Sequence, residues 1–133
     1  MTARGLRNNN PLNIRHSASR WRGMREEQTD KCFVQFESMA LGLRAAFCLL
    51  RSYSRRGLET PAEIVARWAP STENNTEGYI RTVCRLTGYD PSQRLSVADW
   101  PRLVWAMARV ECGEEVPMEQ VMRGFELFQN GER

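Results

Sequence analysis

Five stretches of the chain repeat apolar residues at steps of three and four, the spacing that places side chains on one face of an α-helix. The first begins after Ser38, a residue suited to cap it, and ends near Gly57. The second opens with Thr60, Pro61 and Glu63 in the order of a helix N-terminus with a capping box. This regularity predicts a mainly helical chain.

Three more helices follow the same signals. The third carries Tyr79 on its inward face and ends at Gly88, a natural left-handed cap. Ser96 or Asp99 opens the fourth, and the fifth follows Pro117. We therefore expect about five helices.

A small β region precedes these helices. Residues 31–36 hold β-forming side chains between charged ones, which predicts a short strand paired in a hairpin with the chain near Ile14 or Trp21. The predicted fold class is thus mainly α (α+β), with a β-hairpin near residues 14–36. A length of 133 residues fits one domain spanning residues 1–133. No βαβ alternation, internal repeat or glycine-rich phosphate loop is present, which argues against the commonest nucleotide-binding enzymes.

The charge pattern argues against two classes of partner. A formal net charge of +3 is too small to indicate nucleic-acid binding by itself. There are two arginine runs, at residues 15–25 and 51–56. The first contains one aromatic residue, Trp21, and nearby acids offset its charge, so solvated faces explain the runs. No apolar run approaches the roughly 20 residues that span a bilayer. We expect a monomer with no nucleic-acid partner and no membrane insertion.

One carboxylate interrupts the apolar face of the fourth helix. Leu103, Met107 and Glu111 follow one another at steps of four, so Glu111 falls where an aliphatic residue is due. Burial would raise the pKa of this carboxyl group, as a general acid near neutral pH requires. The alternative, which periodicity alone favours, is a solvated carboxylate at the helix end, just before Gly113.

The sequence around this glutamate has a family likeness. Residues 104–113 resemble the helix of bacterial glucosaminidases and lytic transglycosylases that ends in an A-x-x-E-S-G-like motif, whose glutamate is the catalytic acid. Ala108, Glu111 and Gly113 match that motif, and Cys112 stands where the family usually has serine.

The N-terminal part resembles the segment that follows this helix in glucosaminidases. Residues 10–15, 21–23 and 33–38 stand in the order of its N-x-F-G-I-K-like, W-x-G and F-x-x-Y/F-x-S motifs. Because the two parts are reversed along the chain, the sequence resembles a circularly permuted lysozyme-like domain. The opening segment, with residues 68–70 and 73–76, also resembles small phage-associated proteins, some of them virion structural proteins.

The resemblance implies cleavage of peptidoglycan at β-1,4 bonds between N-acetylated aminosugars, by hydrolysis or by transglycosylation, with Glu111 as the acid. It also implies a substrate-binding set of amides and aromatic rings: Asn8, Asn10, Asn13, Asn75, Tyr79 and Trp21, with Trp68 as another stacking candidate. The alternatives stay open, since asparagines beside Pro11 are ordinary turn formers and aromatic residues at helical spacing commonly lie in the core.

A second carboxylate, which most glycoside hydrolases use, would be Glu26, Glu27 or Glu37, and none stands out by its spacing. Lytic transglycosylases work with one glutamate, so the reaction type stays open. The competing function is a non-catalytic phage structural or glycan-binding protein that keeps the fold.

Location and cofactors follow from the remaining residues. No apolar segment follows the basic N-terminal residues, so we expect synthesis in the cytoplasm without a signal peptide. A holin, a phage particle or a secretion system would then carry the protein to the cell wall. Four cysteines without a C-x-x-C pair, and His16 as the only histidine, predict no metal and no cofactor. Reduced thiols are expected, with two disulfides as the alternative.

Overall fold

The structure, a computed structural model, describes residues 2–131. Six α-helices carry most of these residues: α1 (Arg4–Arg7), α2 (Met39–Arg55), α3 (Pro61–Trp68), α4 (Thr76–Thr87), α5 (Trp100–Cys112) and α6 (Met118–Gly131). A 3-10 turn at Val97–Asp99 leads into α5. The mainly helical prediction is confirmed, and the five predicted helices correspond to α2 through α6.

Helices α2, α3 and α4 begin where short polar side chains cap them. Ser38 accepts a hydrogen bond from the backbone N–H of Leu41 at the start of α2. At α3 the predicted capping box is present, with Thr60 and Glu63 each bonding to the other's backbone N–H. Such caps satisfy N–H groups that have no partner within the helix, which fixes the helix starts.

Helices α2 and α6 pack closely over the centre of the core. A Cβ atom at Gly124 would lie 2.6 Å from the Cβ of Leu43, so glycine permits this approach. Between the same two helices, the ring centroid of Phe47 lies 5.0 Å from that of Phe125 and 5.9 Å from that of Phe128. Burial of these rings supplies a large part of the hydrophobic free energy that holds the two helices together.

The region between residues 14 and 36 differs from its prediction. Within residues 2–131 no strand forms, and the backbone makes two isolated antiparallel bridges, Arg15 with Phe33 and Met24 with Phe36. This corrects the predicted β-hairpin near residues 14–36, although its expected partner segment near Ile14 is right. Side-chain amides take over the backbone hydrogen bonds that a ladder would make, so the segment stays irregular.

Helix α1, which the sequence signals missed, joins the N-terminal segment to the end of α5. A Cβ atom at Gly5 would lie 3.0 Å from the Asn10 carbonyl oxygen and 3.2 Å from the Cβ of Cys112. At Gly42, on α2, a Cβ atom would lie 1.8 Å from the Asn9 carbonyl oxygen, which only glycine avoids. The asparagine-rich segment is thereby held against both α2 and α5.

Two expectations drawn from composition concern location and redox state. Of the helices within residues 2–131, none combines the length and the apolar character that crossing a bilayer requires. The four cysteines are free thiols, and Cys32 is the exposed one.

Candidate active site

Glu111 lies in the last turn of α5, in the wall of an open cleft of about 620 Å³. Leu103 and Met107, the residues that precede it on the same helical face, are fully buried. Glu111 itself is half-buried, and Gly113, in the left-handed conformation at φ 78°, ends the helix just beyond it. The predicted position of Glu111 on the core-facing stripe is therefore confirmed.

Two neutral donors hold the Glu111 carboxyl group. The Tyr79 hydroxyl, from α4, donates to Oε2 at 3.0 Å. The amide Nδ2 of Asn13 donates to Oε1 at 3.2 Å and also to the backbone oxygen of Glu111 at 3.2 Å. Asn13 has a φ of 54°, a left-handed conformation that asparagine tolerates better than most residues. Three separate parts of the chain therefore converge on one carboxyl group.

Burial determines the protonation of this group. Desolvation raises the pKa of Glu111 above its usual value, and the hydrogen bonds from Asn13 and Tyr79 and the positive charge of Arg15 offset that rise in part. The pKa of Tyr79 is raised well above its usual value, first by burial and then by the Glu111 charge. Tyr79 therefore stays a neutral hydrogen-bond donor, and Glu111 keeps its proton to a higher pH than a solvated glutamate does.

Aromatic rings form much of the cleft wall. Trp21, Tyr53 and Trp68 all line it. Trp68 meets Tyr53 edge to face, with 5.9 Å between ring centroids, and its Nε1 donates to the Leu12 carbonyl oxygen at 3.3 Å. Flat apolar rings beside a few polar groups are typical of sites that bind sugars or similar amphipathic ligands.

Asn8 and Asn10, two predicted substrate-binding residues, are buried away from the cleft lining. Asn10 donates to the carbonyl oxygens of Ile14 at 3.0 Å and Val34 at 2.8 Å. Asn8 donates to the Asp30 carboxylate at 3.0 Å. The structure corrects the placement of both residues, because buried hydrogen-bond acceptors, backbone carbonyls for Asn10 and a carboxylate for Asn8, hold these amides inside the protein.

Three other predicted residues also lie outside the cleft. Asn75 is exposed and caps α4 by accepting from the backbone N–H of Gly78 at 3.1 Å. Glu37 is exposed and Glu26 lines a separate recess, so neither predicted second carboxylate lines the cleft with Glu111. Glu27 is likewise exposed and outside the cleft lining. The carboxylate that does share the cleft with Glu111 is Glu73, which lies in the loop before α4.

Several cleft residues were not predicted as site residues. Besides Glu73, they include Arg15, His16, Tyr53 and Asn74. One signal was available, since Glu73 and Asn74 belong to the motif at residues 73–76 that carries the likeness to phage proteins. Within residues 2–131, no group of three or more histidine, cysteine or acidic side chains is placed to hold a metal ion.

The carboxylate of Asp30 holds the N-terminal segment in place through hydrogen bonds to Arg4 and Asn8. Its two oxygens accept from the Arg4 guanidinium at 2.7 Å each, and Oδ1 also accepts from the backbone N–H groups of Cys32 and Phe33. The Arg4 guanidinium is the main reason that the pKa of Asp30 lies well below its usual range. A charged and well-paired group therefore fixes the segment that presents Asn13 to Glu111.

The fold and the site define a small, mainly helical protein with a half-sheltered glutamate in an aromatic-walled cleft. Protein P5 of Pseudoalteromonas phage PM2 is 40% identical to the chain over 129 residues, which cover 93% of the chain and 81% of the phage protein. The chain belongs to the family of this phage protein. This confirms the likeness to phage-associated proteins, and the lysozyme-like likeness stays a prediction. No protein-family model matches the chain.

Proposed function

We propose that the chain is a phage-associated enzyme that cleaves peptidoglycan at β-1,4 bonds between N-acetylated aminosugars, in a circularly permuted lysozyme-like domain. Glu111 is the proton donor. The observation that carries the proposal is a carboxyl group that is partly desolvated, has a raised pKa and still lines an open cleft. The sequence likeness to glucosaminidases and lytic transglycosylases points to the same residue.

The chemistry assigned to Glu111 has two steps. The protonated carboxyl group donates to the leaving glycosidic oxygen while the bond to the anomeric carbon breaks. The resulting carboxylate accepts hydrogen bonds from Tyr79 and Asn13, which limits the cost of its negative charge in a sheltered place. It then takes a proton from the attacking group, which is a water molecule in hydrolysis or the sugar's own 6-hydroxyl in transglycosylation.

The residues around Glu111 have different tasks in this proposal. Trp21 and Trp68 offer aromatic surfaces for sugar rings. Asn13, predicted to bind substrate, acts as a positioning residue, because its Nδ2 is engaged with Glu111. Glu73 is the carboxylate available to stabilise the positive charge that develops on the sugar ring if the reaction is hydrolysis.

A second candidate function is a non-catalytic phage structural or glycan-binding protein. The observation that favours it is that both oxygens of Glu111 accept hydrogen bonds from other parts of the chain. Such an arrangement also ties α4 and the N-terminal segment to α5, which is a purely structural task. The two candidates predict different results when the acid is neutralised.

The test is cleavage of purified peptidoglycan sacculi by the wild type and by Glu111→Gln. The amide accepts one hydrogen bond at its oxygen and keeps the side-chain shape, but it has no acidic proton to give. We expect sacculus solubilisation to fall by roughly 10²- to 10⁴-fold, with binding to sacculi retained. Glu126→Gln, an exposed change on α6, is the matched control and should leave cleavage unchanged.

Mass spectrometry of the released fragments separates the two reaction types, because transglycosylation leaves a 1,6-anhydro end and hydrolysis leaves a reducing end. Binding of the wild type to sacculi without any soluble fragment would contradict the enzyme and support the second candidate. Equal cleavage by the wild type and Glu111→Gln would show that Glu111 is not the proton donor.

A further inference from the structure

Arginines from the two separate runs in the sequence meet around one recess beside the cleft. The recess has a volume of about 440 Å³. Its lining consists of two arginines from the N-terminal loop, two from α2, one tryptophan and one cysteine: Arg20, Arg22, Arg44, Arg51, Trp21 and Cys48. The fold therefore concentrates positive charge that the sequence spreads over 32 positions, from residue 20 to residue 51.

Two of the arginines at this recess, Arg20 and Arg22, are accessible to solvent. No carboxylate is part of its lining within residues 2–131. Arg20 and Arg22 are exposed and form no ion pair with any described residue. The Arg51 guanidinium lies over the ring of Phe128, 5.2 Å from its centroid, which orients it without neutralising it. An anionic group entering the recess would meet guanidinium donors from two sides.

Trp21 connects the recess to the catalytic cleft. Trp21 lines both, so the recess and the cleft adjoin at this residue. Its Nε1 is shielded from solvent and has no hydrogen-bond acceptor among the described residues. A ligand that fills the cleft and carries a negatively charged branch would therefore place that branch in the recess, next to Trp21.

We propose that the recess binds the carboxylates of the stem peptides that branch from the peptidoglycan glycan. This inference rests on the proposed function, because it assumes that the glycan lies in the cleft. The peptides supply carboxylates at a branch point, and guanidinium groups bind carboxylates through paired hydrogen bonds. A nucleic-acid backbone fits less well, since it asks for an extended basic strip, and Glu26 lies in the next recess along.

The experiment compares binding to intact sacculi with binding to sacculi whose stem peptides an amidase has removed. All variants carry Glu111→Gln so that nothing is cleaved. We expect Arg20→Gln/Arg22→Gln to weaken sedimentation with intact sacculi by about tenfold and to leave binding to peptide-free glycan unchanged. Arg55→Gln/Arg56→Gln removes the same charge at the exposed end of α2, outside the recess, and should weaken neither.

A soluble stem pentapeptide, titrated by NMR, separates this inference from the proposed activity. If the wild type does not cleave sacculi, but it binds the pentapeptide and Arg20→Gln/Arg22→Gln does not, the recess stands and the proposed activity fails. The inference is overturned if the control pair weakens binding equally, or if binding to peptide-free glycan falls as much. It is also overturned if the pentapeptide does not bind. A third contrary result would be that the wild type retards duplex DNA and Arg20→Gln/Arg22→Gln does not, because the recess would then bind nucleic acid.

Discussion

Two carboxyl groups, Asp30 and Glu111, are both shielded from water near the asparagine-rich segment, and their pKa values move in opposite directions. The Arg4 guanidinium, together with Asn8 and two backbone N–H groups, lowers the pKa of Asp30. Around Glu111 the donors are a neutral amide and a neutral phenol, and burial outweighs them and raises its pKa. The difference depends on whether a charged partner compensates the loss of hydration.

The two carboxyl groups therefore have different roles: Asp30 stabilises the fold, and Glu111 suits the proposed proton transfer. Asp30 is ionised in the folded protein and organises the segment around it, so it contributes to the stability of the fold. The surroundings of Glu111 favour its protonated form, so the fold loses stability when the group ionises. Sites that store such a cost are typical of function rather than of stability.

The largest effect on stability is expected from Asp30→Asn. The amide loses the charge-assisted pair with Arg4 and places an NH₂ group among donors, so several hydrogen bonds are lost together. We expect the melting temperature at pH 7 to fall by roughly 5 °C or more, measured by calorimetry. Asp90→Asn is the control, since among the described residues the Asp90 carboxylate accepts from Ser92 alone, in an exposed turn.

The pH dependence sharpens this prediction. Because the pKa of Asp30 is lowered on folding, its contribution is present above its usual value of 3.8 and is lost as the pH falls through the folded-state pKa. The difference in melting temperature between the wild type and Asp30→Asn should therefore shrink as the pH falls below 3.8. A difference that stays constant down to pH 2 would contradict an ionised, well-paired Asp30.

Tyr79→Phe tests the other carboxyl group through its neighbour. Removing the phenol takes away a donor that favours the charged form, so the pKa of Glu111 should rise further. The alkaline limb of the pH profile of sacculus cleavage should move to higher pH, with kcat lower by about tenfold. Tyr89→Phe, which removes a phenol bonded to Asp99 far from the cleft lining, should leave the profile in place.

The smallest effect is a gain in stability on Glu111→Gln. Because folding raises the pKa of Glu111, the wild type loses stability as the pH rises from the usual 4.5 through the folded-state value. The neutral amide avoids this loss, so Glu111→Gln should be slightly more stable than the wild type at neutral pH. Chemical denaturation at several pH values measures it. A variant that is less stable than the wild type across the range would show that the carboxylate serves mainly to brace the fold.

Local signals in the sequence predicted much of the helical framework. Caps such as Ser38 and Thr60, and the left-handed Gly88, act within one turn of chain, so sequence reasoning finds them directly. Helix α1 has four residues and no side-chain cap, and the segment near residue 30 depends on Asp30 meeting Arg4 across 26 positions. Such long-range pairs produce no periodic sequence pattern, so the sequence predicts a hairpin where the structure has an irregular segment.

The candidate site was predictable only in part. Helical period placed Glu111 on the core-facing stripe, and the family likeness suggested Asn13 and Tyr79, which the structure brings into contact with it. Composition does not distinguish an asparagine that faces a cleft from one that satisfies buried carbonyls, which is why Asn10 was misplaced. Glu73 and Glu111 line the same cleft because of how α4 packs on α5, and no local sequence pattern predicts that packing.

The most direct measurement is an NMR titration of the Glu111 side-chain carboxyl carbon in the folded protein, assigned by its absence in Glu111→Gln. A sheltered proton donor requires a midpoint above the 4.5 of an ordinary glutamate, with Asp30 titrating below 3.8 in the same sample. A Glu111 midpoint at or below 4.5 would contradict the account, because the group would then be a stabilised carboxylate with no proton to give near neutral pH.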